Sequence, residues 1–191
     1  MAGKPNFTAM EQSTAEDWQR IYAEQANMFS QLPGRIIDHL HMLQGDCGGF
    51  PIDRFEHCLQ TATLAHEGGE DEEYVVCALL HDIGDTLGSL NHADVAATIL
   101  QPFVTEENYW MVKHHGIFQG YYFFHHIGLD RNMRDQFKEH PVYERTEKFV
   151  ANYDNPAFNP EKTNLPIDFF EPMVQRVLSI PRRSLYPTEP I

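Results

Sequence analysis

This sequence predicts an all-α fold. Apolar residues recur every three or four positions in segment after segment, capping residues and Gly/Pro breaks bound those segments, and strand-like alternation is nearly absent. Residues 14–31 place Trp18, Ile21, Tyr22, Ala26 and Phe29 at helical spacing behind an acidic first turn, and Pro33-Gly34 is expected to stop that helix. A short helix over 35–43 precedes a glycine-rich break at 45–49. Asp53 can cap the next helix, which runs through Phe55, Cys58, Leu59, Ala62 and Ala65 to Gly68-Gly69. The helix over 71–82 is apolar nearly all round at its C-terminal end, which makes it central to the core. Residues 91–100 form a helix closed by Pro102, and Thr105 caps a helix from 106 to about 115. Helical patterns continue over 118–139 with a break near Gly128, then over Glu144–Tyr153 up to Asn155-Pro156, then over Asp168–Leu178. From Ile180 the chain turns proline-rich, and an extended tail is expected over 180–191.

A length of 191 residues fits one domain, read as residues 1–179 with the tail appended. Fourteen basic against 28 acidic residues give a formal charge of −14, and such a surface repels phosphate backbones, so nucleic acid is an unlikely partner. A few cations in a pocket still suffice for a small anionic substrate. No apolar run is long enough to span a membrane and no secretory signal opens the chain, so a cytoplasmic location is expected. Cys47, Cys58 and Cys77 are odd in number and lack CxxC spacing, which reads as reduced thiols rather than a disulfide framework or zinc ribbon.

The eleven histidines are the unusual feature. The segment VVCALLHDIGD, residues 75–85, ends an apolar helix on His81-Asp82, a pair that is costly to bury unless a cation offsets the desolvation. His57 lies 24 residues upstream on an amphipathic helix, and His92 opens a helix on the face of Val95, Ala96 and Ile99. His114 and His115 are adjacent, so about 100° of helical rotation separates them and one of the two faces a site. Asp154 closes a helix, where a carboxylate opposes the dipole and a metal would explain it. His39, His41, His125 and His126 read as structural.

The pattern H…HD…H…H…D, with HD followed by Ile83-Gly84, resembles the HD superfamily of all-helical metal-binding domains over roughly residues 50–180, and its dinuclear branch in particular. The resemblance implies a metal-binding core at about 50–155 in a compact helical bundle. It implies that Asp82 bridges two metals, with His57, His81 and Asp154 completing one site and His92 and His115 the other. Asp82, His92 and His115 are then the catalytic group, and two imidazoles plus a carboxylate with open positions suit non-haem iron. The segments FEHCLQTATLAHEGGEDEEYVVCALLHDIGD and NHADVAATIL further resemble the organophosphonate-cleaving oxygenases of this branch. That likeness implies a mixed-valent Fe(II)/Fe(III) pair, O2 as co-substrate, and C–P cleavage of a 1-hydroxy-2-aminoalkylphosphonate to phosphate and a carboxylic acid. The rival is an HD phosphohydrolase acting on a nucleotide or phosphoester. The chain lacks the GYP motif of the cyclic-dinucleotide branch and has Asp85 where that branch has lysine, although KHHG at 113–116 is shared with it.

For the substrate's amine, Phe50, Tyr121 and Tyr122 within an aromatic-rich set, with Asp85 nearby, suit a quaternary ammonium better than a primary amine. The favoured substrate is therefore 1-hydroxy-2-(trimethylammonio)ethylphosphonate, giving glycine betaine. Lys113, Arg131, Arg134 and Arg145 are candidate phosphonate partners, and Gln119, one turn after His115, can reach the same site. The proline-rich tail makes a homo-oligomer possible.

Overall fold

Oxygen-bearing side chains start the helices on which the fold depends. Thr14, Asp53, Asp71 and Thr105 each accept a hydrogen bond from the backbone N–H three residues on, satisfying donors a helix leaves unpaired at its first turn. The structure is a computed structural model that describes residues 5–184; most of the expected tail, residues 185–191, lies outside the described residues. Within them the chain forms α1 (Ala15–Ser30), α2 (Leu32–Leu40), α3 (Arg54–Glu67), α4 (Glu72–Leu80), α5 (Asp85–Gly88), α6 (His92–Leu100), α7 (Glu106–Phe123), α8 (Tyr143–Phe149) and α9 (Ile167–Ser179), with short 3-10 turns between and no strand among the described residues. The all-α expectation holds.

Helix α4 is the hub. Every residue from Tyr74 to Leu80 is buried, and the helix packs on α3, α7 and α9. Each fully buried aliphatic side chain there contributes roughly 1.5–3 kcal/mol. Helices α6 and α8 both pack against α7. Helix α1 is peripheral and buries none of its residues.

Four expectations shift. The first helix ends at Ser30 as expected, but Pro33-Gly34 do not stand between helices; Pro33 sits in the first turn of α2, where its missing N–H costs nothing. The helix from 106 does not end at about 115; α7 runs on to Phe123 before Gly128 turns the chain with φ +79°. The helix begun by α8 ends in a π-helical turn, Val150–Asp154, closed by Asn155 N–H to Val150 O at 2.9 Å. Finally, the start of the tail expected to be extended is docked on the bundle: the Arg182 and Arg183 N–H groups donate to Pro102 O at 2.7 and 3.1 Å, and their guanidinium groups pair with Glu73 and Glu106.

Gly84 joins the turn after α4 to α6 with no space for a side chain. A Cβ there would lie 2.4 Å from His92 O and 2.7 Å from Val95 Cβ. Gly84→Ala is therefore expected to cost about 1–3 kcal/mol as α6 is forced outward. Thermal melting checks this; an unchanged midpoint would contradict the tight contact.

Candidate metal centre

Five elements deliver the histidines and aspartates. His57 faces inward from the first turn of α3, where its ring is fully buried. His81 ends α4 as its C-cap, and Asp82 follows in the turn. His92 is the first residue of α6, His115 lies inside α7, and Asp154 ends the π-helical turn. The extra residue accommodated by that turn displaces Asp154 from the register an α-helix would give it. His57, His81, Asp82, His115 and Asp154 are all buried, whereas the His92 side chain is 28% exposed and marks the open side.

The Asp82 carboxylate divides its two oxygens. Oδ2 lies 3.6 Å from Nε2 of both His57 and His81, and Oδ1 lies 3.2 Å from Nε2 of both His92 and His115. Asp154 Oδ1 sits 3.2 Å from His57 Nε2 and 3.6 Å from His81 Nε2. Two triads have ligand atoms mutually within 4.8 Å: His57/His81/Asp154 and His81/Asp82/His115. His81 is thus within reach of both positions, while His92 approaches the second through Asp82 and His115.

The donor chemistry fits cations. Nδ1 of His57, His81 and His115 donates to the carbonyls of Ala157, Ala78 and Val112 at 2.8, 2.8 and 2.7 Å, and His92 Nδ1 faces Ser89 O at 3.4 Å. A carbonyl can only accept, so each neutral ring carries its proton on Nδ1 and a lone pair on Nε2. Yet His57 Nε2 and His81 Nε2 stand 3.2 Å apart, and His92 Nε2 and His115 Nε2 stand 3.3 Å apart. Facing lone pairs repel unless a proton or metal ion lies between them. Asp154 Oδ2 is also buried with no hydrogen-bond partner. Burial pushes the Asp82 carboxyl up, but His81, His115 and His57 outweigh it and hold the group well below the usual carboxylate range. Asp154 is likewise held low against its burial, through His57 and His81. Burial pushes the His92 imidazole down, partly opposed by Asp82, which favours the neutral ligand form.

Of the pair left open, His115 joins the cluster. His114 stacks on Trp110 at 3.9 Å between ring centroids, its Nδ1 bonded to Trp110 O. Gln119 does reach the site: its amide donates to Asp154 Oδ1 at 2.7 Å. Asp85 stands at the open edge, but its carboxylate is held by Arg54 Nε at 3.0 Å.

Arg54 is the residue that the sequence reading passed over. Its Nη1 lies 3.7 Å from Asp82 Oδ2 and its guanidinium covers the Phe50 ring at 4.3 Å. It sits three residues before His57 on the same helix, a spacing that places both on one face and was available as a signal. Phe158 was also passed over; it stacks on His57 at 4.3 Å and on Phe50 at 5.5 Å.

The other candidate substrate residues make their contacts elsewhere. Lys113 is exposed, 3.8 Å from Asp94. Arg145 donates to Asn108 Oδ1 and lines a separate cleft with Glu73 and Arg176. Arg131 and Arg134 both lie on the Tyr121 ring, at 4.1 and 3.9 Å, and Arg134 pairs with Glu147. Tyr122 packs edge-on against Tyr121. The aromatic run is not one wall, because the helix distributes it: Phe118 is in the core and Phe123 is exposed.

Residues 54–148 match the HD domain family. Over 66 residues the chain is 38% identical to [1-hydroxy-2-(trimethylamino)ethyl]phosphonate dioxygenase (glycine-betaine-forming) from Leisingera caerulea, a stretch covering 29% of this chain and 34% of that relative. The match thus spans about a third of the relative's length. No helix of the described residues is long and apolar enough to cross a membrane.

Because Asp82 serves both imidazole pairs and Asp154 only one, their substitutions separate. Asp82→Asn is expected to abolish stoichiometric uptake at both positions, whereas Asp154→Asn retains about one ion per chain, read by elemental analysis after dialysis. Two ions retained by the Asp82 variant would refute the shared-carboxylate geometry.

Proposed function

Since this chain carries an HD domain with His and Asp groups arranged to hold metal, we propose that it is a diiron oxygenase of organophosphonates. In this reading a mixed-valent Fe(II)/Fe(III) pair is held by His57, His81, Asp82, His92, His115 and Asp154. The reaction cleaves the C–P bond of 1-hydroxy-2-(trimethylammonio)ethylphosphonate with O2, giving glycine betaine and phosphate. The observation that carries it is the division of the Asp82 carboxylate between two imidazole pairs, which provides for two ions where one would need a single cluster. The printed activity of the matched relative supports the reaction class. When bound, the irons supply Lewis acidity and the electrons that O2 chemistry requires.

The chain's own groups have distinct tasks. Backbone carbonyls of Ala157, Ala78 and Val112 fix the rings of His57, His81 and His115, so the donor atoms need little rearrangement. Phe158 covers the His57 face and limits water there. Arg54 stands at the open edge, its charge reinforced by Asp82 and Asp85 against the cost of burial, and offers N–H groups to a phosphonate oxygen.

The amine end fits less directly than the aromatic composition suggests. Arg54 already occupies the Phe50 face and the Asp85 carboxylate, the pair expected to receive a quaternary ammonium. A cationic substrate end therefore competes with Arg54 for those groups, while the phosphonate complements it. The same anion grip also suits a phosphoester, which is the phosphohydrolase reading.

Iron-loaded protein should release phosphate from the trimethylated 1-hydroxyphosphonate in air and none under nitrogen. Equal release in both atmospheres would refute the oxygenase reading in favour of hydrolysis. Arg54→Gln should raise KM about tenfold or more, with a smaller change in kcat, as expected for losing one charge-assisted contact. An unchanged KM would remove Arg54 from the binding role.

A further inference from the structure

Tyr153 directly precedes Asp154, yet its side chain points away from the metal cluster. Its hydroxyl donates to Glu70 Oε1 at 2.6 Å, and the same oxygen accepts Lys148 Nζ at 2.5 Å. The ring is 5% exposed and meets Tyr74 edge-on at 5.8 Å. Gly68 leaves the space the ring fills: a Cβ there would lie 2.7 Å from the Tyr153 hydroxyl oxygen.

Gly68 and Glu70 lie in the turn between α3 and α4, the two helices that carry His57 and His81. The Tyr153–Glu70 bond therefore ties that turn to the π-helical turn presenting Asp154. These are the three segments supplying the His57/His81/Asp154 triad. His92 and His115 come from α6 and α7 and are not part of the tie. A five-residue π turn is a less regular support than an α-helix, so the aim of Asp154 depends on what anchors its neighbour.

We propose that Tyr153, Glu70 and Lys148 are positioning residues, a latch that aims the Asp154 carboxylate and so sets the affinity of the His57/His81/Asp154 position for its ion. This rests on the reading of two ions per chain. Co(II) titration of the apo full-length chain, followed by visible absorption and by ion content after dialysis, tests it. Wild type takes up two ions. Tyr153→Phe keeps one tightly and binds the other at least tenfold more weakly, the size of effect seen when an outer partner of a metal ligand is lost. Glu70→Gln, which preserves an acceptor oxygen, restores most of that affinity relative to Glu70→Ala. If Tyr153→Phe does not fold, Lys148→Met, which leaves the hydroxyl bond but unpins Glu70, carries the test with a smaller selective loss.

A Tyr153→Phe chain that melts lower but binds both ions as wild type does has lost only packing, and the latch is overturned. Equal weakening of both ions also overturns it. A wild-type chain that takes up fewer than two ions overturns the two-ion reading itself, and the latch with it.

Discussion

Two carboxylates, Asp82 and Asp154, are buried in the middle of this bundle among four imidazoles whose lone pairs face one another. Taking a carboxylate out of water costs several kcal/mol even after the surroundings relax. Hydrogen bonds from neutral rings cannot offset two such costs when every Nδ1 proton is already committed to, or turned toward, the backbone. Positive charge at the Nε2 atoms resolves both problems together, and the rest of the architecture follows from arranging donors around that requirement. Helix α4 is buried from Tyr74 through Leu80, up to His81, so the polar cluster begins where the core ends. Gly84 lets α6 close over the turn, bringing His92 to the far oxygen of Asp82.

The scaffold grips the cluster from one side and leaves it open on the other. After Asp154, the loop returns along α3 through paired contacts: Asn159 N–H to Gln60 Oε1 at 2.8 Å, Gln60 Nε2 to Asn159 O at 3.0 Å, and Leu165 N–H to Thr63 Oγ1 at 3.1 Å. This return holds Ala157 O on His57 and lays Phe158 over the ring. The opposite edge, with His92, Arg54 and Asp85, is partly exposed and lined by charge. In the proposed function the anionic end of the substrate enters there, where Arg54 places a cation beside the Asp82 carboxylate.

Much of this was legible in the residues. His57, His81, Asp82, His92 and Asp154 stand out because each ionisable group sits where its helix would otherwise bury an apolar side chain or oppose a dipole, whereas His115 was singled out over His114 only by the family resemblance. The caps at Asp53 and Thr105 follow from local chemistry alone. Phe158 was not legible, since its position depends on the Gln60–Asn159 pairing across 99 residues, which no local pattern announces. The aromatic-rich set around Tyr121 and Tyr122 is a different case: its composition suits one ligand-facing group, but a helix turning about 100° per residue sends neighbours in different directions. Arg54 is legible in the spacing that puts it one turn before His57 on the same helix face.

The central claim is that one carboxylate, Asp82, is shared by two ions. Anomalous diffraction from crystals of the iron-loaded protein, recorded above and below the iron edge, tests this directly. Two peaks are expected on either side of Asp82, one among His57, His81 and Asp154 and the other between His92 and His115. A single peak, with the His92 and His115 rings turned away from it, would contradict the account.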